Sequence, residues 1–136
     1  MSTKQEVVPT IEARISSIAL GIARAMEYLH ENRIVYRDLK PHNVGMDYNG
    51  NVRLFDFGIA KELPDGQASL HGCVGSLRYM APEILIHHET SFCSDVYAFG
   101  ILLWQLVTLN KPYGDEELTV YRDYREMVGY RQVRPG

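Results

Sequence analysis

One long apolar segment constrains the fold of this chain more than any other feature. From Val96 to Val107 nearly every residue is hydrophobic. Ser94 and Asp95 lie just before this run, and a serine cap and an acidic first turn both favour the start of a helix. A helix that is apolar all round needs neighbours on every side, so Ser94–Leu109 is predicted to be a buried core helix. The run is too short to span a bilayer, which takes about 20 apolar residues.

The composition is that of a globular domain and excludes several classes of protein. The chain has 136 residues, of which 46% are hydrophobic and 23% charged, and its formal net charge is −3. It is therefore too apolar to be intrinsically disordered, and it gives no electrostatic case for a nucleic acid or an acidic membrane as partner. Cys73 and Cys93 are too few for a disulfide scaffold and fit free thiols. Residues 1–6 lack the apolar core of a signal peptide, so a soluble, cytoplasmic protein is expected.

Three further helices are predicted. Apolar residues recur every three or four positions from Ile11 to Leu29, with Thr10 as the cap and Asn32 as a left-handed end. Ala81–Ile86 is a short helix with a proline in its first turn, and Glu116–Val128 carries an apolar face.

The other predicted elements are a hairpin and a long loop. Two short apolar stretches, Val44–Met46 and Val52–Phe55, flank the turn dipeptide Asn49-Gly50, which favours a β-hairpin. From Gly58 to Met80 no periodicity is sustained, and a loop of this length is usually functional. The chain is therefore predicted to be mainly α with a short β-hairpin.

Four motifs then follow one another along the chain. They are Tyr36–Asn43 (sequence YRDLKPHN), Asp56–Gly58 (DFG), Ala81–Glu83 (APE) and Asp95–Gly100 (DVYAFG). In this order and spacing they resemble the C-terminal lobe of eukaryotic protein kinases. Any one tripeptide could occur by coincidence in an unrelated helical domain, so the resemblance depends on the ordered set.

The resemblance implies a catalytic and a metal-binding group. Asp38 matches the catalytic aspartate, which accepts the proton of the substrate hydroxyl. Lys40 matches the lysine that contacts the γ-phosphate in Ser/Thr-specific members. Asn43 and Asp56 match the two magnesium ligands, and their oxygen atoms suit this hard cation. The implied cofactors are ATP and Mg²⁺, and the implied partner is a protein substrate with a serine or threonine.

Other matching positions are expected to shape the catalytic loop and the activation segment, Ile59–Met80: Arg37, Phe57, Gly58, Ser76, Glu83 and Asp95. Ser76 stands where a hydroxyl commonly bonds the catalytic aspartate and lysine, and Asp95 stands where an aspartate braces the catalytic loop. The packing of Phe57 would set the active or inactive conformation of the site, and Gly58 would let the backbone turn. The family pairs the position of Glu83 with an arginine further along the chain.

Phosphorylation of the activation segment is an open question in the sequence. Arg37 matches an arginine that pairs with a phosphate on this segment, although a salt bridge to a loop carboxylate is an equal alternative. The usual phosphorylated position is Gly72. Ser69 is then a candidate phosphosite, with a solvated loop serine as the alternative. The adjacent His87 and His88 fit a solvated surface better than a metal site.

Two sequence features bear on the branch of the family. Lys40 and Gly75–Glu83 resemble the loops of Ser/Thr-specific kinases. Ile101–Leu106, followed by Lys111–Tyr113, resembles the tyrosine-kinase-like branch of those kinases.

The resemblance also sets the expected domain boundaries. Residues 1–9 are expected to be a tail and residues 10–136 a partial kinase domain, because the sequence shows neither a glycine-rich phosphate loop nor the strand lysine. The N-terminal lobe and the last helices are therefore expected to be absent. ATP binding and phosphotransfer by the 136 residues alone are expected to be weak or undetectable. The alternative function is a catalytically inactive partial lobe that acts as a protein-binding module.

Overall fold

The computed structural model describes residues 8–114, which form four α-helices and three two-stranded antiparallel ladders. The helices are α1 (Ile11–Ala13), α2 (Leu20–Glu31), α3 (Pro82–His87) and α4 (Phe92–Thr108). The strands are β1 (Ile34–Val35), β2 (Val44–Met46), β3 (Val52–Leu54), β4 (Lys61–Glu62), β5 (Leu70–His71) and β6 (Glu89–Thr90). A π-helical turn at Arg14–Ala19 joins α1 to α2, and 3₁₀ turns lie at Pro41–Asn43 and Leu77–Tyr79.

The first predicted helix is confirmed at Ile11–Ala13 and from Leu20 onward, whereas Arg14–Ala19 is π-helical and the predicted end differs. Thr10 caps it, since its Oγ1 accepts a hydrogen bond from the N–H of Ala13 at 3.2 Å. The predicted left-handed end at Asn32 is wrong. Asn32 keeps a φ of −87° and donates its N–H to Tyr28, and Arg33 is the left-handed residue, with a φ of 62°. The helix therefore continues its hydrogen bonding one residue further than predicted.

The main core lies between α2, α4 and the chain that follows β1. Its buried members are Ile22, Met26, Leu29, Tyr36, Leu39, Tyr79, Ala98 and Leu102. The hairpin covers one side of this cluster through Val44, Val52 and Leu54. Tyr36–Asn43, the predicted catalytic loop, thus begins from a buried position against two helices.

The prediction that α4 is buried on all sides is wrong for the described chain. The face with Ser94, Asp95, Ala98 and Leu102 is buried against α2 and the loop after β1. Val96 is 61% exposed and Trp104 is 46% exposed on the rest of the helix. Part of the apolar surface of α4 is therefore not covered by residues 8–114.

The cap of α4 also differs from the prediction. The helix begins at Phe92, so Ser91 is the N-cap rather than Ser94. Ser94 instead completes a capping box, because its Oγ accepts the N–H of Ser91 at 2.8 Å. This arrangement buries Ser94 and places Asp95 inside the first turn.

The predicted hairpin is confirmed. β2 pairs with β3 with Val44 opposite Leu54 and Met46 opposite Val52, and Gly50 takes the positive φ of the turn, 79°. The short helix predicted at residues 81–86 is confirmed as α3.

The long segment before α3 is more ordered than predicted. β4 pairs with β1, and β5 pairs with β6 with Leu70 opposite Thr90. The segment is therefore attached by main-chain hydrogen bonds at two places, a result that periodicity could not predict because both partners are distant in sequence.

Two remaining predictions concern the rest of the chain. The helix predicted at Glu116–Val128 lies outside the described residues. None of the helices between residues 8 and 114 is long and apolar enough to cross a membrane.

Candidate active site

Asp38 lies at the centre of a hydrogen-bonded group of four side chains. Its Oδ1 accepts the hydroxyl of Ser76 at 2.9 Å, and its Oδ2 accepts the amide of Asn43 at 3.1 Å. Lys40 donates to the Ser76 hydroxyl at 2.9 Å and lies 3.8 Å from Asp38 Oδ2. The structure thus brings together three residues of the catalytic loop and one from the activation segment, separated by up to 38 positions.

The amide of Asn43 is held in one orientation. Its Nδ2 donates to the backbone oxygen of Asp38 at 2.7 Å and to the carboxylate of the same residue. The side chain is 5% exposed and closes the 3₁₀ turn Pro41–Asn43. Since the side-chain nitrogen donates to Asp38, the amide oxygen is the side-chain atom of Asn43 that is available to a cation.

Asp95 organises the backbone just before Asp38. Its carboxylate is 2% exposed and accepts the N–H of Tyr36 at 2.8 Å and that of Arg37 at 2.9 Å. His30 Nε2 lies 2.9 Å from the same carboxylate. These contacts connect α4 and α2 to the catalytic loop, so that the loop conformation depends on a buried carboxylate.

The Arg37 side chain contacts a backbone carbonyl at the start of the activation segment. Its Nε donates to the backbone oxygen of Ile59 at 2.6 Å. Within residues 8–114 no carboxylate lies within ion-pair distance of its guanidinium. Burial lowers the pKa of Arg37, and the negative charge of Asp95 opposes this shift. The arginine therefore ties the catalytic loop to the root of the activation segment.

The Asp56–Gly58 motif is exposed next to the hairpin. Asp56 is the left-handed residue there, with a φ of 54°, and Gly58 lies in the turn that follows, in which the N–H of Ala60 donates to the backbone oxygen of Phe57 at 3.1 Å. The N–H of Gly58 donates to Asp56 Oδ1 at 3.1 Å, and a Cβ added to this glycine would lie 3.0 Å from the same oxygen. The small size of Gly58 thus makes room for the Asp56 carboxylate.

Tyr36 has a role that the sequence did not reveal. Its side chain is fully buried, its hydroxyl donates to the backbone oxygen of Phe55, and its ring lies edge-on to Phe57 at 5.3 Å. Burial raises its pKa above the ordinary value, and the nearby carboxylates of Asp38, Asp56 and Asp95 raise it further. The tyrosine thus connects the catalytic loop to the Asp56–Gly58 motif, and it lies near three carboxylates.

The remaining candidate residues are not part of this group. Glu83 lies half-buried in the first turn of α3, and no described residue donates to its carboxylate. Ser69 is half-buried immediately before β5. Among residues 8–114 no three His, Cys, Asp or Glu side chains form a metal cluster. His87 and His88 are both exposed at the end of α3.

Comparison with known proteins gives one family. The family model of the protein kinase domain matches residues 2–135. The chain is 47% identical over 102 residues to rhodopsin kinase of Homo sapiens, covering 75% of this chain and 18% of that protein. It is 40% identical over 106 residues to a cGMP-dependent protein kinase of Toxoplasma gondii, covering 76% of this chain and 10% of that protein. It is 38% identical over 109 residues to the eye isozyme of protein kinase C of Drosophila melanogaster, covering 79% and 16%.

Two facts follow from these matches. The chain spans less than a fifth of the length of each of these relatives, with 10% as the smallest share. The relatives are AGC-type Ser/Thr kinases, and the predicted tyrosine-kinase-like branch is not supported.

Proposed function

This chain belongs to the protein kinase family, and from that premise we propose that it carries the catalytic loop and activation segment of a serine/threonine protein kinase. The reaction is transfer of the γ-phosphoryl group of ATP to a hydroxyl of a protein substrate. The observation that carries the proposal is the group formed by Asp38, Lys40 and Ser76, with Asn43 bound to the same carboxylate.

Asp38 is proposed as the residue that orients and deprotonates the substrate hydroxyl. Its carboxylate has Ser76 on one oxygen and Asn43 on the other, so its direction is restrained before any substrate arrives. As the hydroxyl oxygen bonds to the γ-phosphorus, the bond from that phosphorus to the bridging oxygen of ADP breaks, and the hydroxyl proton passes to Asp38.

Lys40 is proposed as the γ-phosphate contact. Its ammonium group donates to Ser76 and lies 3.8 Å from Asp38 Oδ2, next to the reacting position. A cation held there compensates the negative charge that the phosphoryl group brings close to Asp38. The hydroxyl of Ser76 keeps Lys40 and Asp38 in a fixed arrangement.

Asn43 and Asp56 are proposed to hold Mg²⁺. The amide oxygen of Asn43 and the exposed carboxylate of Asp56 are oxygen donors of the kind this ion takes. Burial is the main cause of the raised pKa of Tyr36, and the carboxylates of Asp38 and Asp56 raise it further, so negative charge collects in the region where the ion would bind. When bound, the metal neutralises charge on the phosphate oxygens.

The experiment is a phosphotransfer assay on a fusion protein. The N-terminal half of the kinase domain of rhodopsin kinase is joined in frame ahead of Val8, and the transfer of phosphate to a serine-containing peptide is measured. We expect Mg²⁺-dependent transfer that falls about 10²- to 10⁴-fold in Asp38→Asn, because a positioned base contributes about this factor. The 136 residues alone are expected to transfer phosphate weakly or not at all.

Asp65→Asn is the matched control, because it removes an equal charge from a fully exposed side chain in the activation segment. It should leave the rate within about twofold of the unchanged fusion. Equal rates for Asp38→Asn and the unchanged fusion would refute the catalytic assignment. A folded fusion without any transfer would instead favour the non-catalytic binding module.

A further inference from the structure

Arg33 lies between α2 and β1, next to the activation segment. It is the left-handed residue after α2, with a φ of 62°, and its backbone oxygen accepts the N–H of Leu63 at 2.7 Å. This hydrogen bond extends the β1–β4 ladder, in which Ile34 lies opposite Glu62. The side chain of Arg33 therefore starts from a backbone that is already attached to the segment.

The Arg33 guanidinium binds three carbonyl groups of the activation segment. Its Nε donates to the backbone oxygen of Leu63 at 3.2 Å, and its Nη2 donates to those of Pro64 at 3.1 Å and Gln67 at 3.4 Å. Pro64–Gln67 is an exposed turn, which the N–H of Gln67 closes on the Pro64 oxygen at 3.1 Å. Because the guanidinium is a rigid fork with five donors, one arginine holds these carbonyls in a fixed arrangement that an ammonium group does not reproduce.

Phe92, the first residue of α4, supports the guanidinium. Its ring centroid lies 5.5 Å from Arg33 Cζ, within the range of a cation–π contact. The same side chain packs against a second buried cluster, formed by Val35, Leu63 and Leu70. Since Leu63 and Leu70 belong to the activation segment, Arg33 and this cluster hold the same part of the chain.

The Phe92 ring also contacts the group that organises the catalytic loop. Its centroid lies 4.7 Å from that of the His30 ring, and His30 Nε2 lies 2.9 Å from the Asp95 carboxylate. Asp95 accepts the N–H of Arg37, the residue before Asp38. A continuous set of contacts therefore leads from the activation segment, through the ends of α2 and α4, to the proposed catalytic base.

From these contacts we propose that Arg33 is a positioning residue for phosphotransfer, which holds the activation segment so that Ser76 meets Asp38 and Lys40. This inference rests on the proposed function. The stretch that Arg33 holds precedes Ser76 in the same segment. Because a displacement of about 1 Å at the reacting groups can slow a reaction about 10²-fold, a restraint on this segment affects the rate although Arg33 touches no reactant.

The ion pair of Arg33 does not account for this role. Asp65 Oδ1 lies 3.7 Å from Arg33 Nε, but the Asp65 side chain is fully exposed, and exposed ion pairs contribute little. Asp65→Asn therefore tests the charge pair alone. Arg33→Lys tests the fork, since lysine keeps the positive charge and loses the planar set of donors.

Amide hydrogen exchange of the 136-residue chain tests whether Arg33 holds the segment. In Arg33→Ala the N–H groups of Leu63 and Gln67 should exchange about 10- to 100-fold faster, because this stretch opens locally. The N–H of Phe55, outside the segment, should change less than about twofold, and it reports that the rest of the chain is folded. Arg24→Ala, at an exposed position of α2, is the matched control and should change none of these rates.

Phosphotransfer by the fusion protein tests the positioning role. Arg33→Ala should lower kcat and raise the KM for the peptide, with a fall in kcat/KM of about 10- to 100-fold. The KM for Mg·ATP should stay within about twofold, because the residues proposed to hold it lie outside the stretch that Arg33 binds. A smaller folded fraction would instead lower kcat and leave both KM values unchanged. Arg33→Lys should recover part of the loss, and Asp65→Asn should show none.

A double-mutant cycle tests the support from Phe92. Phe92→Leu keeps an apolar side chain and removes the ring, so it should slow peptide phosphorylation in the same direction as Arg33→Ala. The double variant should be no more than about threefold slower than Arg33→Ala, because both changes remove one shared contact. Effects that multiply in full would refute the support by Phe92.

The outcomes distinguish this inference from the proposed function. Unchanged exchange at Leu63 and Gln67 in Arg33→Ala, or faster exchange with unchanged peptide kinetics, would refute the positioning role and leave the proposed function intact. If the unchanged fusion transfers no phosphate, the proposed function is refuted and the positioning role with it, whatever the exchange rates show. If Arg33→Ala does not fold, Arg33→Lys decides by the same measurements.

Discussion

The carboxylate of Asp95 holds Arg37 in a left-handed backbone conformation. Its Oδ1 accepts the Arg37 N–H at 2.9 Å, and the φ of Arg37 is 69°. Such a φ is unfavourable for an arginine and persists only where the surroundings impose it. Since Asp38 is the next residue, the direction of the proposed catalytic side chain depends on a carboxylate in the first turn of α4.

Removal of this carboxylate should destabilise the fold. Asp95→Ala leaves the buried N–H groups of Tyr36 and Arg37 without acceptors, and each such group costs about 1–3 kcal/mol. We expect the free energy of unfolding to fall by about 2–4 kcal/mol in urea denaturation followed by circular dichroism. Asp65→Ala, at a fully exposed carboxylate, should change it by less than about 0.5 kcal/mol. Equal stabilities for the two variants would contradict the bracing role.

The hydroxyl at position 76 should matter for catalysis more than for stability. Ser76→Ala removes the group that joins Asp38 to Lys40, and hydrogen bonds to charged groups contribute about 1.5–3 kcal/mol. In the fusion protein we expect phosphotransfer to slow by about 10- to 100-fold. Ser76→Thr retains the hydroxyl and should restore most of the rate. Equal phosphotransfer rates for Ser76→Thr and Ser76→Ala would show that the hydroxyl does not contribute to the rate.

A close approach of two backbone segments explains the glycine before Ser76. A Cβ added to Gly75 would lie 2.5 Å from the backbone oxygen of Arg37, and the φ of this glycine is 110°. Gly75→Ala should therefore move the activation segment away from the catalytic loop and lower stability by more than about 2 kcal/mol.

Gly66→Ala is the matched control for this steric effect. Gly66 also has a positive φ, 80°, but a Cβ there meets nothing within 4 Å. Its substitution should cost only the backbone strain, about 1 kcal/mol. Thermal unfolding of both variants measures the difference, and similar losses would show that contact with Arg37 is unimportant.

Alkaline pH should destabilise the chain through Tyr36. Its pKa is raised in the folded state, mainly by burial, so above pH 10 the unfolded chain releases this proton while the folded chain retains it. Stability is then fully present below pH 10 and falls as the pH rises beyond it.

Tyr36→Phe tests this origin. Between about pH 9.5 and 11 the urea midpoint of the variant should fall less than that of the unchanged chain. Part of the fall should remain, because burial also raises the pKa of Tyr79. Tyr28→Phe, at an exposed ring, should keep the full decrease. At pH 7 Tyr36→Phe should cost about 0.5–1.5 kcal/mol, because the hydrogen bond from the Tyr36 hydroxyl to the Phe55 carbonyl is lost. An unchanged alkaline slope would refute the assignment.

Local features could be predicted from the sequence because their causes are local. Asn49-Gly50 predicted the hairpin turn, Thr10 the first cap, and Pro82 the start of α3. The ordered motifs predicted the family, which the matching family model confirmed. The predicted branch within the family is not supported, because a few residues around Ile101–Leu106 are a weak guide when read without relatives.

The arrangement of the site needed the tertiary structure. Asp38 and Ser76 are 38 positions apart, His30 and Asp95 are 65 apart, and no local pattern reports such contacts. The same holds for the left-handed residue at Asp56 and for the guanidinium of Arg33 over the ring of Phe92. By itself the sequence determined which chemical groups are available and which short segments turn or coil. The folded chain decided which of those groups meet, because hydrogen bonds and close packing act across space between residues that the chain separates.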